Sequence, residues 1–66
     1  MSLYDYKMSQ TIGTKDFPFY ALIMAAMRKA DDNNLMRLQS AFPEVYRELK
    51  ARYDAPGGSL PGEDGA

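Results

Sequence analysis

The densest set of oxygen donors in the chain is the run Asp31-Asp32-Asn33-Asn34. Two chemistries use such donors. Hard cations such as calcium and magnesium prefer oxygen ligands, and two carboxylates held in a cleft can divide general-acid and general-base duties. An EF-hand loop, however, needs ligands at alternating positions, a turn glycine and a distal glutamate, and this run lacks that arrangement. A working carboxylate pair needs a cleft that shifts its pKa values, for which so short a chain has little depth. Helix capping is the better reading, because short carboxylate and amide side chains accept from the free N–H groups of a helix start. The chain has neither His nor Cys, which removes the commonest general base, the soft metal ligands and the thiolate nucleophile. No catalytic residue, metal ligand or cofactor is assigned, and the chain is read as a non-enzyme.

Five tyrosines and eight Lys or Arg residues remain. Aromatic faces stack on bases and cations meet phosphates, so Arg28, Lys29 and Arg37 are candidate groups for a small anionic ligand such as a nucleotide. No Walker loop or RNP signature accompanies them. A formal net charge of −1 and a pI near 5.1 give no field that would draw a phosphate backbone. An anion-binding oligomer is therefore the second reading and DNA binding through the region around Pro43 the third. For Tyr46 and Tyr53 the plainer expectation is core packing, and for the arginines solvated ion pairs.

The elements that would position these groups are helical. Lys15-Asp16-Phe17-Pro18 reads as a helix entrance, with Asp16 or Phe17 at the cap and Pro18 in the first turn. The spacing of Phe19, Leu22, Ile23, Ala26 and Met27 predicts a helix over 18–30. Leu35, Leu38 and Ala41 or Phe42 predict a second over 33–41. Pro43 and the repeat Val45, Leu49, Tyr53 predict a third over 43–53, whose Glu44 with Arg47 and Glu48 with Arg52 are spaced for surface ion pairs. Tyr4, Tyr6, Met8 and Ile12 occupy even positions, the period of a strand, so residues 1–15 are expected to form an extended arm or single strand. Residues 55–66 contain Pro56-Gly57-Gly58 and have the composition of a disordered tail. The expected architecture is all-α: arm 1–15, helical domain 16–54, flexible tail 55–66.

The strongest single signal is the uncharged segment Phe17 to Met27. At eleven residues it is far short of a membrane span, the N-terminus has no apolar signal-peptide core, and the cytoplasm is the expected compartment. Two short amphipathic helices offer few large apolar groups to cover a helix that is apolar almost all round. At 66 residues without a disulfide or zinc site, self-association is the stabilising device still open. The expected interface, with another copy or another protein, comprises Tyr4, Tyr6, Phe17, Phe19, Tyr20, Ile23, Met24 and Met27. Tyr20 and Met24 are expected to face the partner, and the thioethers suit an adaptable surface.

The stretch from Phe19 to Gly58, with its pieces AFPEVYREL and RYDAPGG, resembles a family of small uncharacterised proteins encoded by bacteriophages and other mobile elements of bacteria. The resemblance implies an accessory role, such as inhibition of a host defence, and brings no catalytic motif with it.

Overall fold

Ser2 starts the first helix, its side-chain oxygen accepting from the Asp5 backbone N–H at 3.1 Å. Asp5 in the first turn also suits the positive end of the helix dipole. Helix α1 runs Leu3–Gly13, so the expected extended arm is corrected: these residues are helical. Tyr4, Met8 and Ile12 are four apart, a spacing that satisfies the two-residue period of a strand and the helical i, i+4 period alike. The Ser2-x-x-Asp5 cap decides between them. The Thr14 hydroxyl closes the helix by donating to the Thr11 carbonyl at 2.7 Å.

This computed structural model describes residues 1–63. The described residues form four α-helices rather than the expected three: α1, α2 (Phe19–Lys29), α3 (Asp32–Ala41) and α4 (Pro43–Tyr53). Pro18 takes the cap position of α2 itself, with φ −61° and ψ 147°, and no side chain caps this end. Asp16 and Phe17 thus lie outside the helix; the Pro18 carbonyl accepts from Leu22 N–H at 3.2 Å. Asp31 caps α3 by accepting from Asn34 N–H at 2.8 Å, so the oxygen-rich run serves as a helix start. A single residue, Phe42, closes α3 and opens α4, at φ −132° and ψ 63°. Pro43 disfavours α geometry in the residue before it, and its own fixed φ suits the first position of the next helix.

Helices α2, α3 and α4 pack on one another, with α4 in contact with both others. Among the described residues Met27 alone is buried, at 3% exposure. Leu22, Ile23, Leu35, Leu38, Val45 and Leu49 around it are half-buried. Phe19 and Phe42 meet edge to face with ring centres 6.2 Å apart. Helix α1 packs against none of the other described elements, and every residue of it is exposed. The radius of gyration is 14.1 Å, against about 11 Å for a compact chain of this length.

The C-terminal segment is corrected as well. A 3₁₀ turn at Pro56–Gly58 packs on α4. Gly57 and Gly58, with φ of 63° and 75°, turn the chain back where a side chain would be strained. Arg52 Nη1 donates to the Gly58 carbonyl at 3.0 Å and to Glu63 Oε1 at 2.6 Å, and Nη2 donates to Glu63 Oε2. The sequence-predicted partner of Arg52, Glu48, is farther away at 3.7 Å. Glu44 and Arg47 form no ion pair among the described residues. The rest of the expected tail, residues 64–66, lies outside the described residues.

The Arg52 hydrogen bonds, and then the Leu60 N–H, lower the Glu63 carboxyl from the usual 4.5 to about 2. A depressed carboxylate adds stability above its unfolded pKa and loses it as the pH falls through the folded one. The latch is therefore expected to open between about pH 4.5 and pH 2, and more readily in high salt, because the pair is exposed and screened. The protection factor of the Leu60 amide, whose N–H donates to Glu63 at 2.9 Å, should fall across that window. Protection unchanged down to pH 2 would contradict it.

Candidate interaction surface

At 3.6 residues per turn, the apolar side chains of α1 fall on two opposite sides. Tyr4, Met8 and Ile12 line one; Leu3 and Tyr6 line the other. All five are exposed, Tyr4 by 70%. Next along the chain stands a second apolar group, Phe17 in the connection and Phe19 and Tyr20 at the start of α2. Phe19 and Tyr20 are 59% and 58% exposed and stack edge to face, with ring centres 5.3 Å apart. Phe17 precedes a proline, which disfavours helical geometry at that residue, and α1 makes no contact with α2, α3 or α4.

The structure divides the residues singled out in the sequence. Tyr4, Tyr6, Phe17, Phe19 and Tyr20 are on the surface, Ile23 and Met24 are half-buried, and Met27 is the centre of the core. Met27 is thus buried by the chain's own packing and reaches the surface only as part of the wall of a groove. The reason is its place on the α2 face that meets α3 and α4, where the half-buried residues converge. Leu3, Met8 and Ile12 were missing from the expected surface. Their signal was the i, i+4, i+8 spacing of Tyr4, Met8 and Ile12, hidden by the strand reading.

An open groove of about 290 Å³ lies across the three-helix body. Met27, Leu35, Tyr46, Leu49 and Tyr53 line it, and Arg28 and Lys50 add positive charge. Tyr53 is 75% exposed, which overturns its expected place in the core. The three candidate anion-binding residues are not brought together: Arg28 lines this groove, whereas Lys29 and Arg37 line a separate depression with Asn34 and Leu38. The groove joins cations to tyrosine faces.

No family model, curated protein or solved structure matches the chain. The surface must therefore be read from its own chemistry.

Among the described residues, no group of three or more carboxylates is placed to hold a metal ion, and no helix is long and apolar enough to cross a membrane. The one-residue junction between α3 and α4 is shorter than the three- to four-residue turn of a helix-turn-helix. What the arrangement offers is large apolar side chains in water. The chain exposes 5701 Å², where a compact monomer of 7.4 kDa would expose about 4200 Å². The excess on one chain, about 1500 Å², is above the roughly 800 Å² that one partner contributes to a standard protein interface.

Proposed function

We propose that this protein is a non-catalytic helical interaction module that self-associates, using α1 and the exposed start of α2 as its contact surface. The observation that carries this reading is α1 itself. A lone helix of 11 residues is marginal in water, because most helix stability comes from packing an apolar face. This one has two apolar faces and no neighbour among the described elements. Its apolar groups, with Phe17, Phe19 and Tyr20, supply the large rings and, at Met8, the thioether typical of protein interfaces. An accessory role in a phage or mobile element, directed at a host-defence protein, rests on the resemblance of residues 19–58 alone.

Light scattering on the full chain at micromolar concentration tests the reading. A mass of at least two chains is expected, and a strict 7.4 kDa monomer would overturn it. A small anionic ligand is the second reading, favoured by Arg28 and Lys50 beside Tyr46 and Tyr53. It requires a nucleotide to raise the melting temperature and the R28A protein to lose that rise.

A further inference from the structure

The geometry points to reciprocal exchange of α1: the Tyr4, Met8 and Ile12 side of one copy's α1 seats in the groove formed by Met27, Leu35, Leu49 and Tyr53 of a second copy. This rests on the self-association proposed above and names the segment and the surface that carry it. Three observations select a second copy as the occupant.

The first is two-sidedness. Helix α1 bears apolar groups on opposite faces, and a helix apolar on both sides needs neighbours on both. Folding back onto its own three-helix body would cover one side and leave the other in water. Lying between two copies covers both. The second is area: the excess of about 1500 Å² over a compact monomer exceeds the roughly 800 Å² that each partner of a standard interface contributes. The third is charge. Asp5 flanks the Tyr4–Met8 side of α1 and is the sole acid of that helix, while the groove carries Arg28 and Lys50. Seated there, Asp5 meets cations, and the apolar stripe meets the apolar wall.

The absence of cysteine permits a direct test by disulfide formation, which requires two Cα atoms within about 7 Å. Met8 and Tyr53 are 39% and 75% exposed, so M8C and Y53C leave the buried Met27 untouched. Glu44 is exposed and away from the groove, so E44C is the control. Mixing full-length M8C and Y53C proteins under mild oxidation is expected to give a covalent heterodimer as the dominant product, at least tenfold over M8C with E44C. Oligomers of normal mass in which M8C links to itself or to E44C as readily would overturn the exchange while leaving self-association standing. A monomeric mass would overturn both. A monomeric M8C/Y53C double variant that closes its bond within one chain would overturn the exchange in favour of folding back.

Discussion

Met27→Ala is expected to leave most of the chain unfolded in water at room temperature. Met27 is the residue buried at 3% exposure, and the side chains around it are only half-covered. Truncating a buried methionine costs about 2–5 kcal/mol through lost transfer energy and the cavity left behind. A core in a chain this short supplies rarely more than about 3–5 kcal/mol. The substitution therefore removes a sum close to the whole stability, even though alanine is the better helix former. Met27→Leu keeps volume and should cost less than about 1.5 kcal/mol. Urea unfolding followed by far-ultraviolet circular dichroism separates the two: no folded baseline for M27A, a small midpoint shift for M27L. An M27A protein with an unchanged midpoint would mean that stability resides elsewhere than in the three-helix body.

Met8→Asp is expected to abolish association at concentrations where the unaltered chain associates, without disturbing α2, α3 or α4. Met8 sits midway along the Tyr4, Met8, Ile12 side of α1 and touches none of the other described helices, so its replacement subtracts nothing from the core. A charge at the centre of an apolar contact acts like a lost hot spot, about 2–4 kcal/mol, or roughly thirty- to a thousandfold in the association constant. Released from its partner, an isolated helix of this length unravels. Helical ellipticity should then fall by about a quarter, the share of α1 among the helical residues, while the remaining body still unfolds cooperatively in urea and loses only the concentration-dependent part of its midpoint that association adds. Association of undiminished strength in M8D would place the contact elsewhere.

Much of this fold is legible in the residues, and the failures have physical causes. The helix over 43–53 is set by Pro43 and by Val45, Leu49 and Tyr53; its structural bounds are Pro43–Tyr53. Asp31 announces the start of α3, because a carboxylate before an apolar repeat has one common use, and here it makes that hydrogen bond. The first helix was hidden by the coincidence that fourfold spacing also fits a strand, while Tyr6 falls on the strand face but on the opposite side of a helix. Local hydrogen bonding by Ser2 breaks the tie, a signal that was readable in the pattern Ser-x-x-Asp. The C-terminal latch was not readable at all. Gly, Pro and Ser give residues 55–63 a disordered composition, and what orders them is a bidentate pair between Arg52 and Glu63, eleven positions apart, where no helical or strand period links them.

The candidate surface followed the same division. Exposure of Phe19 and Tyr20 agrees with the count of apolar groups available to cover the 17–27 segment, since two short helices cannot wrap a third. Which residue of that segment is claimed by the core, Met27, depends on the crossing of three helices and has no local signature. The groove beside it is likewise a product of packing: Leu35, Leu49 and Tyr53 come from two helices and converge only in three dimensions.

The central claim is that α1 owes its helical state to a neighbouring chain. Circular dichroism at the helical band, recorded with mass by light scattering along one dilution series from high micromolar to nanomolar, tests it most directly. Ellipticity should fall by about a quarter, the share of α1, in step with the fall to the 7.4 kDa monomer, because mass action couples assembly to ordering of the segment. A helical signal that stays constant across a series in which the mass is monomeric throughout would contradict it.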